Sequence, residues 1–264
     1  HKRMELTHPI LLGGHLKEQA MPPEVYRSMA ENLGTYVLED LLAEFAEDPG
    51  AVRVIAAAYQ PEEGLRRAVQ RIADEAVSAA RDGAHLILVD DGTAFRHGRH
   101  AIDPHLALSW IDLALNHEFD QHGESFRRRV SLLLRSGALR NLHDLAMAMA
   151  VGADAVNPYL LLDGALHADN WKALENTVIA LRKGFEKVIS TMGIHELRGY
   201  GRFQSSIGLE PELAGYLRMR NFYGSEGRGL SLGQLERAGA ERFRIATCAP
   251  LEVTGEETGA PVPV

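Results

Sequence analysis

Cysteine is nearly absent from this sequence, and this limits the chemistry that the chain can support. Of 264 residues only Cys248 is a cysteine, so the sequence excludes a disulfide framework and any metal or iron–sulfur site built from several thiolates. A chain with so few cysteines is typical of a reducing compartment, and we predict a cytoplasmic location.

Long apolar runs and an excess of positive charge are also missing. No stretch approaches the roughly 20 apolar residues that span a bilayer, and the opening residues do not follow the pattern of a signal peptide. The formal net charge is −8, which argues against nucleic acid or an anionic membrane as the main partner. We interpret the cluster Arg127-Arg128-Arg129 as a solvated loop before a strand. We therefore predict neither nucleic acid nor membrane among the partners.

Short apolar runs alternate with helical stretches along the middle of the chain. The runs "AVRVIAAAY", "AHLILVDDG", "RRVSLLLRSG" and "ADAVNPYLL" are typical of buried strands, and the segments between them show helical periodicity. This alternation predicts βαβ units and a mainly parallel sheet. We predict an α/β fold: a mainly parallel, rudimentary (β/α) barrel-like domain with outer helices and an N-terminal helical segment.

Changes in composition and in the pattern of apolar residues along the chain suggest three regions. We predict that residues 1–50 form a helical segment packed on the domain, that residues 51–245 form the α/β domain, and that residues 246–264 are a flexible tail or linker. The segment "NWKALENTVIALRKGFEKVISTMG" predicts a long helix, which we expect to be interrupted at Gly184.

Polar residues follow three of the predicted strands. In parallel α/β folds ligand sites lie at the carboxyl ends of strands, which here are Asp90-Asp91-Gly92, Arg135-Ser136-Gly137 and Asn157-Pro158-Tyr159. A carboxylate pair, an arginine and an amide would meet at one edge, as in a binding site. Because the same residue types also serve loops and helix caps, both a functional and a structural interpretation stay open.

A second candidate lies in the loop after the strand "AHLILVDDG". His97, His100, Asp103 and His105 fall within nine residues, and histidine with carboxylate is a common metal-ligand set in hydrolases. Sites of this kind usually draw ligands from several strands, and a solvated loop explains the same tract. A barrel-rim, metal-dependent hydrolase is thus an alternative function.

Several motifs resemble a known family. The segments "GADAVNPYL" and "KVISTMGI" are the specific ones, together with "LTHPILL", "AHLILVDDG" and "RRVSLLLRSG". In order, over roughly Leu6 to Arg242, the chain is similar to the central domain of the large subunit of glutamate synthase. Where the family has Asp-Arg-Gly, this chain has Asp90-Asp91-Gly92, and the loop that follows is unlike the family's short acidic turn.

The resemblance implies a function for a larger enzyme. In glutamate synthase an amidotransferase domain releases ammonia from glutamine, and the ammonia adds to 2-oxoglutarate in an FMN-bearing (β/α)8 barrel, where the imine is reduced. The central domain lies between the two. We therefore expect amidotransferase and FMN-binding domains as partners and no cofactor in this chain, since FMN and the iron–sulfur cluster belong to other domains.

The resemblance also implies which residues matter. It gives no catalytic residue and suggests a vestigial rim that holds loops and contacts neighbouring domains, formed by Asp90, Asp91, Arg135, Asn157, Tyr159, Arg198 and Arg202. The segment "RGYGRFQ" has Gln204 where a dinucleotide-binding loop needs its third glycine. We expect the isolated chain to be inactive.

Overall fold

The computed structural model describes residues 4–15, 21–94, 98–166, 171–194, 205–206, 208–221 and 229–247. In chain order the elements are α1 (Pro23–Leu33), α2 (Leu38–Ala46), β1 (Val52–Ala56), β2 (Ala58–Tyr59), α3 (Leu65–Arg81), β3 (Leu86–Asp90), β4 (His100–Ala101), α4 (Pro104–His117), a short 3-10 helix (Phe126–Arg128), β5 (Ser131–Arg135), α5 (Leu142–Ala150), β6 (Ala155–Asn157), α6 (Tyr159–Ala165), α7 (Trp171–Met192), β7 (Ser205–Ser206), α8 (Pro211–Tyr216), β8 (Arg220–Asn221) and α9 (Leu232–Thr247).

Four parallel strands form the central sheet in the order β1-β3-β5-β6. Their Cα register places Val54 beside Leu88, and Leu88 beside Leu133. Helices α3, α4 and α5 connect successive strands, so each strand lies beside the preceding one, as in a (β/α) barrel. The mainly parallel, rudimentary barrel-like fold with outer helices is confirmed.

The two faces of the sheet belong to different apolar cores. Ile87 and Val89 face α3, α4 and α5, whereas Leu86 and Leu88 pack with Leu41 of α2 on the opposite face. Successive side chains of a strand point to opposite faces, so the continuous apolar run of β3 is buried on both sides. Helix α2 thereby covers the face that would be the interior of a closed barrel.

The N-terminal residues extend the sheet beyond β6. The amide of Leu11 donates to Val156 O at 2.8 Å, and the amide of Val156 donates to Pro9 O at 2.8 Å. Leu12 forms a further parallel bridge with Val37. The first fifty residues contain the predicted helices α1 and α2, but the prediction missed this extended segment, because "PILL" is too short to show a period.

Two local predictions were wrong. The run "ADAVNPYLL" is a strand only over Ala155–Asn157, and α6 begins at Tyr159. Helix α7 is continuous through Gly184, where a Cβ would lie 2.6 Å from Leu142 Cδ2, so the glycine permits close packing against α5. Short apolar runs do not distinguish a strand from a buried helix turn.

The interpretation of the arginine cluster as a solvated loop is wrong for Arg127. Its side chain is 17% exposed and contacts Asp112 (Nε–Oδ1, 2.5 Å) and Asp154 (Nη2–Oδ2, 3.1 Å). It also donates to the carbonyl of Gly152 at 2.8 Å. Arg218 contacts the second oxygen of Asp112. The charges of Arg127 and Asp112 are thus paired below the surface, and their contacts join α4 to the entry of β6.

A small two-stranded sheet and the C-terminal helix α9 pack beside the central sheet. Strands β2 and β4 form an antiparallel pair at the carboxyl ends of β1 and β3, where the amide of Ala57 donates to Asp90 O. Helix α9 packs against β4 and the start of α3. Among the described residues, no helix combines the length and apolar character needed to cross a bilayer.

Candidate functional site

Three polar residues end neighbouring strands in one row. Asp90 pairs in register with Arg135, and Arg135 pairs with Asn157. Each lies two residues beyond an apolar residue of the α2 side of the sheet, so the three side chains share that face. The predicted convergence of strand-end residues is therefore present in the fold.

Arg135 makes its contacts with the protein itself. Its Nη1 donates to Asp90 Oδ1 at 2.6 Å, and its Nε donates to the carbonyl of Gly14 at 2.8 Å. The guanidinium carbon lies 4.2 Å from the ring centroid of Tyr159, a cation–π distance. The side chain is 11% exposed. The arginine is thus held from three sides and directed at backbone.

Asn157 is fully buried and also binds backbone. Its Nδ2 donates to Leu11 O at 2.9 Å and to Gly13 O at 3.0 Å. Its Oδ1 packs against Gly14, and among the described residues it accepts no hydrogen bond. The amide therefore fixes the path of the N-terminal segment, and no donor to a small ligand remains free on it.

Asp91 is the centre of a second buried cluster. Its carboxylate accepts from Ser136 Oγ at 2.5 Å and from the Gly137 amide at 3.1 Å. Burial raises the pKa of Asp91, although hydrogen bonds from Ser136, Gly137 and Tyr159 act in the opposite direction. Burial and the nearby Asp91 raise the pKa of the Tyr159 phenol. This cluster joins the β3 and β5 loops to the start of α6.

The residues that close this edge form a segment that we call the strap, residues 9–15. Gly13 and Gly14 have φ of +80° and +71°, values that L side chains rarely adopt, and a Cβ at Gly14 would collide with the Asn157 carboxamide. The amide of Gly14 donates to Glu39 Oε1 at 2.8 Å. His15 contacts Asp163 and Tyr26. The strap is held by side chains of β5, β6, α1, α2 and α6.

Backbone amides at the rim are bonded to carboxylates of the chain. The amide of Gly92 donates to Asp90 at 2.9 Å, that of Gly137 to Asp91, and that of Gly14 to Glu39. Phosphate groups of cofactors commonly bind such amides. In the described part of the edge, carboxylates already hold these three positions, so the residues present do not fit the phosphate of a flavin.

The histidine loop does not form a metal centre among its described residues. Asp103 caps α4, accepting from the amides of His105 and Leu106 at 3.0 and 3.2 Å. Burial disfavours both charged forms, but the contact between Asp103 and His105 prevails, so the pKa of Asp103 is lowered and that of His105 is raised. The His100 ring lies between Tyr59 and Phe243.

His97 lies outside the described residues. Across the part of the chain that is described, no group of three histidine, cysteine, aspartate or glutamate side chains could hold a metal ion.

Five of the seven predicted rim residues meet at the carboxyl edge: Asp90, Asp91, Arg135, Asn157 and Tyr159. Arg198 and Arg202 lie outside the described residues. The sequence interpretation missed Glu39 and Gly14, which complete the strap. The adjacent glycines after "PILL" were the available signal, since paired glycines mark a turn with unusual φ angles.

The fold and this edge define a class: an α/β domain with the strand order of a (β/α) barrel whose rim is bonded to its own backbone. The sequence profile described as "Glutamate synthase central domain" matches residues 1–210. The chain therefore belongs to the glutamate synthase central domain family, which confirms the resemblance. The match ends before α8 and α9.

Curated relatives agree with this assignment. The chain is 30% identical to "Glutamate synthase [NADPH] large chain" of Azospirillum brasilense over 213 residues, covering 75% of this chain and 12% of that protein. It is 30% identical to the protein of the same name from Bacillus subtilis over 52% of this chain and 9% of that one. "Glutamate synthase [NADH]" of Schizosaccharomyces pombe is 30% identical, over 57% of this chain and 7% of that protein. The chain thus spans about a tenth of these relatives' length.

A solved structure with a distant likeness is a mutant flavocytochrome b2 with pyruvate bound. It superimposes with a TM-score of 0.42 and 15% identity, over 76% of this chain and 60% of that one. A likeness at this level assigns no function.

Proposed function

We propose that this chain is a structural and coupling part of a glutamate synthase and has no complete active site of its own. In this role it links a glutaminase and an FMN-binding barrel during glutamine-dependent formation of glutamate from 2-oxoglutarate. The family assignment and the relatives, which are glutamate synthases, support this reading.

One observation carries the proposal: in the described part of the carboxyl edge, the hydrogen-bond donors of Arg135, Asn157 and three rim amides are bonded to groups of the chain itself. Arg135 and Asn157 hold carbonyls of the strap, and the rim amides of Gly14, Gly92 and Gly137 hold carboxylates. A substrate site at a strand end needs donors that are free to meet the ligand. Here the same donors fix loops, which is the expected work of a domain that positions its neighbours.

Partners and setting follow from the same proposal. The expected partners are amidotransferase and FMN-binding domains or subunits, with FMN and an iron–sulfur cluster held by those parts. With Cys248 as the only cysteine, a cytoplasmic location fits the proposal. We also propose the division into residues 1–50, 51–245 and 246–264, although the strap joins the first region to the sheet.

The test compares the isolated chain with a reconstituted system. The isolated protein is incubated with glutamine, 2-oxoglutarate and a reduced electron donor, and the same assay is repeated with separate amidotransferase and FMN-domain chains. We expect glutamate only after reconstitution. Glutamate formation or glutamine hydrolysis by the isolated chain would overturn the proposal.

A matched pair of variants separates positioning from folding. Asn157→Ala removes the clamp on Leu11 O and Gly13 O, whereas Asn32→Ala changes an exposed residue of α1. We expect Asn157→Ala to reduce glutamate formation in the reconstituted system in proportion to the loss of folded or assembled chain, and Asn32→Ala to leave it unchanged. A full loss of activity in an Asn157→Ala chain that still folds and assembles would indicate a direct chemical role.

A further inference from the structure

Helix α9 packs on the domain through a narrow face. Of its 16 residues only Leu232 and Gly239 are buried, and they lie seven positions apart, so they occupy one side of the helix. Leu235 packs beside them against the main core. The opposite side is exposed, including Ile245 at 53%. The helix therefore covers the domain without being enclosed by it.

Three contacts hold α9 in place. Glu236 Oε1 accepts from the amide of Leu65 at 2.8 Å, at the positive end of α3. Gly239 lies so close to β4 that a Cβ there would be 3.1 Å from Ala101 O. The Phe243 ring meets the His100 ring at 5.2 Å.

A buried hydroxyl that makes no hydrogen bond to the described residues lies beneath this helix. Tyr59 is 2% exposed, and its Oη has no hydrogen-bond partner among the described residues. A Cβ at Gly239 would lie 3.8 Å from that oxygen. Burial, followed by the charge of Glu236, raises the pKa of Tyr59 to about 12. Closing α9 therefore removes a hydroxyl from water without giving it a hydrogen-bond partner among the described residues, which opposes closure.

We propose that α9 is a releasable lid, which opens as a unit while the sheet stays folded and exposes the Tyr59 hydroxyl and the His100 imidazole. Local opening is favoured where few apolar groups are buried and where closure leaves a polar group unsatisfied. Strands β2 and β4, which carry Tyr59 and His100, follow the carboxyl ends of β1 and β3. Ligand sites of parallel sheets lie at such ends. The inference does not depend on the proposed function.

Amide hydrogen exchange of the full chain tests the lid. In the parent protein, amides of α9 and of Leu65 should exchange at least about tenfold faster than those of β3 and β5. Gly239→Leu should speed exchange of α9 by about a further tenfold, because its Cβ would lie 3.1 Å from Ala101 O and the helix must shift away to admit the side chain, and it should leave β3 and β5 unchanged. The control is Gly233→Leu on the same helix, where a Cβ meets nothing closer than 3.7 Å.

A variant that should slow the opening of α9, rather than speed it, makes the test more specific. Tyr59→Phe removes the unpaired hydroxyl and keeps the ring, so α9 should open several-fold less often. Glu236→Ala removes the acceptor of the Leu65 amide and should speed exchange of both α9 and Leu65.

One set of outcomes would overturn the lid. If α9, β3 and β5 exchange at one common rate, or if Gly239→Leu accelerates or unfolds them together, α9 is part of the cooperative core. Faster exchange of α9 in Tyr59→Phe would show that the hydroxyl is satisfied beneath the helix and would also contradict the proposal.

Discussion

The carboxyl edge of the sheet is flanked by two covers that are built differently. The strap crosses the ends of β5 and β6 with Ile10, Leu11 and Leu12 fully buried, and Arg135 and Asn157 bind its carbonyls. Helix α9 lies over β2 and β4 and buries two residues of 16.

Polar groups play different parts beneath these two covers. At the strap, the donors of Arg135 and Asn157 bind carbonyls of the chain, and only the Asn157 Oδ1 lacks a partner among the described residues. Beneath α9 the Tyr59 hydroxyl makes no hydrogen bond at all to the described residues. Several buried hydrogen bonds between a segment and the sheet fix one conformation, whereas a buried hydroxyl without a hydrogen bond weakens the closed state. We therefore expect changes in the strap to lower global stability and changes in α9 to act locally.

Asn157→Asp should have the largest effect. The substitution keeps the shape but replaces the donor Nδ2 with an oxygen that faces the carbonyls of Leu11 and Gly13. We expect the free energy of unfolding to fall by about 4 kcal/mol, measured by urea denaturation. Asn32→Asp on the exposed face of α1 is the control. A loss below about 1 kcal/mol would show that the strap is not fixed by this residue.

Gly14→Ala should have the second-largest effect and lower the free energy of unfolding by about 3 kcal/mol. Two terms add: the cost of a positive φ for alanine, and displacement of the buried Asn157 carboxamide. Gly50→Ala isolates the first term, because Gly50 has φ of +83° and nothing within 4 Å of its added Cβ. Equal destabilisation of the two variants in thermal or urea unfolding would mean that the contact with Asn157 contributes nothing.

The free energy of unfolding should depend on pH through His8, which lies just before the strap. His8 is 4% exposed, and its Nδ1 accepts from the Ile10 amide at 3.2 Å. Burial, followed by the charge of Arg182, lowers the pKa of His8 from 6.5 to about 4.

The sign of this dependence follows from the lowered pKa. The unfolded chain takes up the proton first, so the contribution of His8 is fully present above pH 6.5 and is lost as the pH falls toward about 4. We expect a loss of about 2 kcal/mol over this window. His8→Asn keeps an acceptor for Ile10 but does not titrate, so it should flatten the curve, whereas His122→Asn at an exposed position should not. An unchanged curve in His8→Asn would assign the dependence to other groups.

Glu236→Gln should have the smallest effect on global stability. It keeps an acceptor for the Leu65 amide but removes the negative charge at the start of α3. We expect a loss of about 0.5 kcal/mol, which diminishes at high salt. Glu31→Gln, at an exposed position of α1, is the control. A loss as large as that of Asn157→Asp would make the two covers equivalent and remove the contrast between them.

Much of the fold was predictable from the sequence, and the rim was predictable in part. The apolar runs gave the strands β1, β3 and β5, and the polar residues after them gave Asp90, Arg135 and Asn157, because strand ends in a parallel sheet meet at one edge. What these residues bind was not predictable. One acceptor of Arg135 is the carbonyl of Gly14, which lies 121 positions away in the chain, and no local pattern reports such a contact.

The sequence by itself determined the class of fold and the family, since periodicity of apolar residues is a local property and the motif "GADAVNPYL" carries the resemblance. Only the tertiary structure decided that Arg127 is buried and paired, that Asp103 caps α4, and that the strap closes the rim. A charge or an amide can be solvated, bound to a ligand or bound to distant backbone with the same neighbours in sequence. The choice among these depends on which groups folding brings within hydrogen-bond distance and removes from water.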